Sequence, residues 1–131
     1  MKSNSNFPSD DDIASSRSHI MRGLENVMSG NSEEAISEFT RAIELNKNSE
    51  EAYGFRAGEY RKLEMWDKAI SDYSRAIDLK ESDNNYASRG CVFIMAEKFK
   101  EARTDLVKAL NLNNNNDEAK QALALLESIG Y

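Results

Sequence analysis

Two residue types that can support nucleophilic or acid–base chemistry occur only once each in this 131-residue chain, as His19 and Cys91. A cysteine becomes a strong nucleophile when a histidine lies within hydrogen-bond reach. These two residues fall on two different predicted helices, so we expect no thiolate–imidazole pair. His19 is expected near the amino-terminal end of the fold, part-buried or capping. Cys91 is expected to act as a small packing residue.

The sequence also lacks the spacings that bind metals and phosphates. It contains no CxxC or HExxH motif, which are the usual signatures of zinc sites. It contains no glycine-rich phosphate loop either. The 23 acidic residues are expected to lie mostly on solvated faces. We therefore predict no catalytic site, no cofactor and no metal.

One arginine and one carboxylate recur in register along the chain. The planar guanidinium suits bidentate pairing with a carboxylate, so we predict one ion pair between two helices in each of three repeats. If exposed, each pair would contribute under about 1 kcal/mol. The alternative interpretation is a surface preference without pairing. The predicted pairs are Arg22 with Glu38, Arg56 with Asp72, and Arg89 with Asp105.

The elements that position these residues repeat along the chain. Three 13-residue segments read EEAISEFTRAIEL, DKAISDYSRAIDL and KEARTDLVKALNL. Their alanines Ala35, Ala69 and Ala102 lie 34 and then 33 residues apart. A fixed period in this range is typical of stacked helical repeats.

Apolar residues recur at three- and four-residue steps within each repeat, which predicts two helices separated by a short break. We expect the first helices at residues 13–29, 50–63 and 84–96. The second helices are expected at residues 32–45, 66–79 and 99–112, and a last helix at about 117–128.

The predicted organisation is a single domain of residues 13–131 that follows a flexible tail of residues 1–12, rich in Ser, Asn and Asp. The repeats are expected to span about 16–49, 50–82 and 83–116. A capping helix at 117–129 would present one apolar side to the stack and one polar side to water.

The charge and composition of the chain limit the classes of partner that it is expected to bind. The formal net charge of −6 argues against nucleic acid, which requires a basic face, and against an anionic membrane surface. One cysteine permits no internal disulfide, and a reducing compartment is the simpler interpretation. The amino terminus lacks the apolar run of a secretory signal, and no segment approaches the ~20 apolar residues of a membrane helix. We expect a cytoplasmic location.

At this period, the small and aromatic residues resemble those of the tetratricopeptide repeat family. The middle repeat matches the pattern with Tyr53, Ala57, Tyr60, Ala69, Tyr73 and Ala76. The third repeat matches it with Tyr86, Gly90, Phe93, Ala102, Leu106 and Ala109. The first repeat departs from it, with polar His19 and Asn26 where the others have aromatics. The resemblance implies an all-α solenoid of about seven helices in antiparallel pairs, wound as a right-handed superhelix.

The resemblance also implies a protein–protein interaction module, in which the first helices line a concave groove for a peptide or partner segment. The groove would be apolar and methionine-rich at both ends, which suits apolar anchors. The alternative is that the first helix buries Ile20, Leu24 and Val27 in its own core. The candidate groove residues are Arg17, Ile20, Leu24, Phe55, Arg61, Lys62, Ser88, Cys91, Met95 and Leu125.

Some members of this family clamp the terminal carboxylates of chaperones with Lys, Asn and Arg. None of the corresponding places here holds a cation, so no chaperone-tail clamp is expected. Two other functions stay open: a dedicated chaperone for a secreted or assembling client, and a self-associating scaffold or homodimer that pairs through Ile20, Leu24 and Val27. The places that correspond to the clamp hold Ile20, Leu24, Phe55, Asn84 and Ser88.

Overall fold

The computed structural model describes residues 7–131, which form seven helices joined by short connections. The helices are α1 (Asp10–Met28), α2 (Ser32–Leu45), α3 (Glu50–Lys62), α4 (Trp66–Leu79), α5 (Asp83–Met95), α6 (Phe99–Leu112) and α7 (Asp117–Ser128). The bounds of α2, α4, α6 and α7 coincide with the predicted ones, and those of α3 and α5 agree within one residue.

Helix α1 differs from its prediction because it begins at Asp10 rather than at residue 13. The side chain of Ser9 accepts a hydrogen bond of 3.1 Å from the amide of Asp12 and caps the helix. Three acidic residues lie in the first turn, where the helix dipole favours negative charge. The predicted tail was therefore too long by residues 10–12. Its residues 1–6 lie outside the described part of the chain.

The two helices of each pair begin in different ways. Helices α3, α5 and α7 start from a side-chain cap, in which Ser49, Ser82 or Asn116 accepts a hydrogen bond from the amide three residues ahead. Helices α2, α4 and α6 have no such cap. They follow tight turns whose central residues have positive φ, namely Gly30, Glu64 and Glu97.

Each helix packs against the next one in the chain, and α5 also packs against α7, so three clusters of buried residues follow one another along the stack. Fully buried alanines let the helices approach closely, while Phe39 and Leu106 fill the remaining gaps with no exposed surface. A Cβ added at Gly90 would lie 2.8 Å from Leu106, and one added at Gly23 would overlap the ring of Phe39. The alanines with no exposed surface are Ala35, Ala42, Ala52, Ala57, Ala69, Ala76, Ala102, Ala109 and Ala119.

Candidate functional site

His19 and Cys91 lie in separate helices with separate partners. The Nδ1 atom of His19 lies 2.6 Å from a carboxylate oxygen of Glu38. A carboxylate can only accept, so this nitrogen carries the proton. Within residues 7–131, no group of three or more His, Cys, Asp and Glu side chains is arranged to hold a metal ion. No helix in that range is long and apolar enough to span a membrane.

Two of the three predicted ion pairs are present with bidentate geometry. Arg56 donates to the two carboxylate oxygens of Asp72 at 2.7 and 2.8 Å. Arg89 donates to the two oxygens of Asp105, both at 2.7 Å. Both carboxylates are buried. These hydrogen bonds and charges raise the pKa of both arginines above its ordinary value, although burial opposes the shift. One pair therefore joins the two helices of the second repeat, and the other joins the two helices of the third.

The predicted pair of Arg22 with Glu38 is absent, and Glu38 bonds His19 instead. The repeats differ in the side chains beside the arginine, because aromatic rings flank Arg56 and Arg89 but not Arg22. The guanidinium carbon of Arg56 lies 5.8 Å and 5.7 Å from the ring centres of two tyrosines. His19 and Asn26 hold these places in the first repeat. Without the two rings, Arg22 stays exposed.

The first helices leave clefts between them on the inner wall of the stack. One cleft of about 270 Å³ lies between α1 and α3, and its lining includes Arg17 and Ile20. A second, of about 310 Å³, lies between α3 and α5 beside Phe55 and Ser88. A third, of about 500 Å³, continues toward the carboxyl-terminal ends of these helices, beside Met95.

Three apolar side chains from the predicted groove are exposed. Phe55 on α3 is 38% exposed, Met95 on α5 is 54% exposed, and Leu125 on α7 is 53% exposed. Phe55 is also held in place, because its ring stacks on that of the buried Phe39 with centroids 5.7 Å apart. A supported aromatic side chain can contact a ligand at little cost in conformational entropy.

Ile20 and Leu24 do not form an apolar end of this wall. Ile20 is only 7% exposed and belongs to the core cluster of Phe39 and its neighbouring alanines. Leu24 and Val27 are partly buried against the same cluster. The interpretation that these residues bury in their own core is therefore correct. The reason is that α1 packs closely on α2, where Gly23 admits the Phe39 ring.

The predicted cations Arg61 and Lys62 already have protein partners. Arg61 lies 3.4 Å from Glu118 on α7, across 57 residues of sequence. Lys62 lies 2.7 Å from Glu59. The carboxylate of Glu59 is buried and also accepts a hydrogen bond of 3.1 Å from Ser32. The longer distance makes the Arg61 contact the weaker of the two pairs.

Tyr73 on α4 is a wall residue that we expected only to pack. It is 5% exposed, yet it lines both clefts between α3 and α5. Burial raises the pKa of its phenol, and the nearby Arg61 and Ser88 lower it in part. Tyr73 occupies a position where the repeat pattern has an aromatic residue, and this suggested a packing role alone. No sequence signal separates a packing ring from one that also forms the floor of a groove.

Cys91 is half-buried near the same charged groups. Burial raises the pKa of its thiol to about 12, and the charge of Glu118 adds to this effect while Arg61 opposes it. A thiol with so high a pKa is a poor nucleophile at neutral pH, because the thiolate is the reactive form. The surroundings of Cys91 therefore favour packing over chemistry.

Comparisons with known proteins agree with this architecture. A family model described as tetratricopeptide repeat matches residues 16–49. A FAM10 family protein of Arabidopsis thaliana is 38% identical over 86 residues, which cover 65% of this chain and 20% of that protein. The chain spans about 20% of the length of this relative and of a DnaJ homolog subfamily C member 3 from Gallus gallus, which is 32% identical over 76% of the chain.

Two solved structures show the same arrangement of helices. The TPR domain of Arabidopsis OM64 superposes with a TM-score of 0.87 at 25% identity, covering 90% of this chain and 98% of that one. The second TPR domain of human RPAP3, solved in complex with an HSP70 peptide, superposes with a TM-score of 0.81 at 27% identity. That alignment covers 88% of this chain and 95% of the human domain.

Proposed function

Since the chain belongs to the tetratricopeptide repeat family, we propose that it is a non-enzymatic interaction module that binds a partner-protein segment on its inner wall. The exposure of Phe55 and Met95 beside open clefts carries this proposal, and Leu125 on α7 adds a further exposed apolar side chain. Apolar surface that a partner removes from water contributes roughly 25 cal/mol per Å². The human RPAP3 domain, which was solved with a bound peptide, supports the same use of this fold.

The proposed segment is not a chaperone tail. In place of clamp cations, the chain has a buried isoleucine, a partly buried leucine and the exposed ring of Phe55. The remaining two places hold Asn84 and Ser88. A terminal carboxylate would find no positive charge at these five positions. We also propose a cytoplasmic location, which is consistent with the free thiol of Cys91.

A matched pair of methionine variants tests the proposal. Met95 lies beside a cleft of the inner wall and is 54% exposed, while Met28 at the end of α1 is 88% exposed away from those clefts. Capture from native lysate, quantified by mass spectrometry, should lose the same partner with Met95→Ala and Phe55→Ala. Met28→Ala should retain it. Equal capture by all three variants would show that this wall is not the binding surface.

Self-association through α1 is a second candidate, favoured by the exposed methionines on this first helix. Ile20 is unavailable for it because it is buried, whereas Met21 is 61% exposed. Light scattering across a concentration series decides between the two candidates. A constant monomer mass would exclude self-association, and a mass that doubles and then falls with Met21→Ser would support it.

A further inference from the structure

The two clefts between α3 and α5 adjoin at Tyr73, and we call them together the α3–α5 trench. The cleft of about 310 Å³ lies at the amino-terminal ends of the two helices and is lined by Glu51, Phe55 and Ser88 among others. The cleft of about 500 Å³ lies toward their carboxyl-terminal ends. Tyr73 lines both and joins them. The trench therefore offers an elongated surface rather than a closed pocket.

The two ends of the trench differ in charge. The amino-terminal end is lined by Glu50 and Glu51, and no cation lines it. Glu50 accepts a hydrogen bond of 3.4 Å from Asn85. Glu51 is exposed and has no ion pair within residues 7–131. This end would attract a cationic side chain.

The carboxyl-terminal end of the trench carries two cations, Arg61 and Lys62, against the single exposed carboxylate of Glu64. The ammonium group of Lys62 is held by Glu59, whereas the carboxylate paired with Arg61 is that of Glu118, at the longer distance of 3.4 Å. Arg61 also contacts the side chains of Tyr73 and Cys91. A guanidinium presents its donors in a fixed fork that suits a carboxylate, so a carboxylate of the partner can replace the weakly held Glu118 on Arg61. This end would attract an anionic side chain.

We propose that the α3–α5 trench binds an extended partner segment with a basic side chain near Glu51, an acidic side chain on Arg61, and an apolar side chain between them over Phe55. This inference rests on the proposed function. Glu51 and Arg61 lie ten residues apart on α3, so about 15 Å separates them along the helix axis. An extended segment advances about 3.3 Å per residue, which places its two charges about four or five residues apart.

Glu118 acts in this arrangement as an internal competitor. Its carboxylate occupies the guanidinium that the acidic side chain of the partner would use. The competing contact is weak, because both side chains are partly exposed, 37% for Arg61 and 46% for Glu118. Binding would exchange one carboxylate for another on Arg61. Removing the charge of Glu118 should therefore strengthen binding.

The test is selection of a displayed library of random nonapeptides on the full chain, followed by sequencing of the enriched peptides. We expect enriched peptides to carry one basic and one acidic residue four or five positions apart, with an apolar residue between them. Selection on Glu51→Lys should replace the basic preference with an acidic one. Selection on Arg61→Gln should remove the original acidic preference. Selection on Lys62→Gln should weaken this preference, and this variant leaves Arg61 in place beside Tyr73.

The outcomes separate this inference from the proposed function. Enriched peptides that depend on Phe55 but ignore the charge variants would overturn the trench and leave the proposed function standing. Enriched peptides that ignore Phe55 as well would overturn both, and so would a selection that enriches nothing. Peptides with the charge pair that promote self-association of the chain instead of occupying the trench would also overturn the inference.

Glu118→Gln gives a test in the opposite direction. An enriched peptide should bind this variant about two- to fivefold more tightly than the unmodified chain, the range expected when an exposed ion pair no longer competes. The control is Glu127→Gln, because Glu127 lies on the same helix but faces Arg103 at 4.0 Å. Unchanged or weaker binding by Glu118→Gln would show that Glu118 does not compete for Arg61.

Discussion

Arg56 on α3 and Asp72 on α4 form a bidentate ion pair whose arginine also donates to Thr40 on α2 at 3.1 Å. One guanidinium therefore joins three consecutive helices. Arg89 repeats the arrangement, with a third hydrogen bond of 3.0 Å to Ser74 on α4. The ion pair that we predicted within each repeat thus extends to the second helix of the preceding repeat.

Replacing Arg56 with glutamine should destabilise the fold strongly. Asp72 would keep its buried position, with 7% of its side chain exposed, but would lose the cation that compensates its charge. Removing one partner of a buried pair costs about 3 kcal/mol or more. The free energy of unfolding from urea titration should fall by about this amount.

Arg22→Gln is the matched control, because Arg22 holds the same place in the first repeat but is exposed and lacks the bidentate pair. We expect its free energy of unfolding to change by no more than about 0.5 kcal/mol. Equal destabilisation by both substitutions would mean that the arginine stabilises through helix propensity or packing rather than through the buried carboxylate.

One substitution, glycine to alanine, should have opposite effects at two places. At Gly90 a Cβ would lie 2.8 Å from Leu106, so alanine should cost about 1–3 kcal/mol through overpacking. At Gly58 the nearest atom is the Tyr73 hydroxyl at 3.8 Å, and alanine should stabilise the helix by about 0.5–1 kcal/mol. Thermal unfolding measures both. Shifts of the same sign would contradict this account of helix packing.

The turns within the helix pairs contain residues with positive φ, and this backbone conformation affects stability. Gly30, Glu64 and Glu97 occupy the same place in the three repeats, with φ of 78°, 59° and 59°. A left-handed conformation carries a steric cost for any residue except glycine. Glu64→Gly and Glu97→Gly should each raise the free energy of unfolding by about 1 kcal/mol. A loss of stability in either variant would show that the glutamate side chain stabilises its turn.

The helices were predictable because the sequence repeats three times and its apolar spacing matches the helical period. The starts of the second helices were predicted to the residue, since each follows a short break between two stretches of helical spacing. The start of α1 was missed because the acidic run after Ser9 can be read as a solvated tail or as a first turn. Local sequence does not separate these two interpretations.

The wall was less predictable because it depends on how one helix rotates against another. Ile20 and Phe55 both fit an inner face by helical spacing, yet Ile20 is buried and Phe55 is exposed. The contact between Arg61 and Glu118 crosses from α3 to α7, and no local pattern specifies it. The repeat register correctly predicted the ion pair of Arg56. It wrongly predicted one for Arg22, because the side chains beside Arg22 differ from those in the other two repeats.

Cys91 should react slowly with alkylating agents in the folded state. Its thiol pKa of about 12, raised mainly by burial, compares with an ordinary value of 9.0. At pH 8 this difference reduces the thiolate fraction about 1000-fold, and the thiolate is the species that reacts. Iodoacetamide labelling followed by mass spectrometry should therefore be slow until urea unfolds the chain. Rapid labelling of the folded chain would show that the thiol is more exposed and less perturbed than its surroundings imply.

The same pKa shift makes stability depend on pH. Because the folded state holds the Cys91 proton more tightly, the unfolded state releases it first as the pH rises above about 9. Stability from this residue is therefore present below pH 9 and is lost between pH 9 and about 12. Tyr73 has a raised pKa as well, so it contributes in the same direction. The urea midpoint should fall between pH 8 and pH 10.5, and it should fall less in Cys91→Ala. Parallel pH profiles for the two proteins would contradict the raised thiol pKa, because only the unmodified chain has this proton to release.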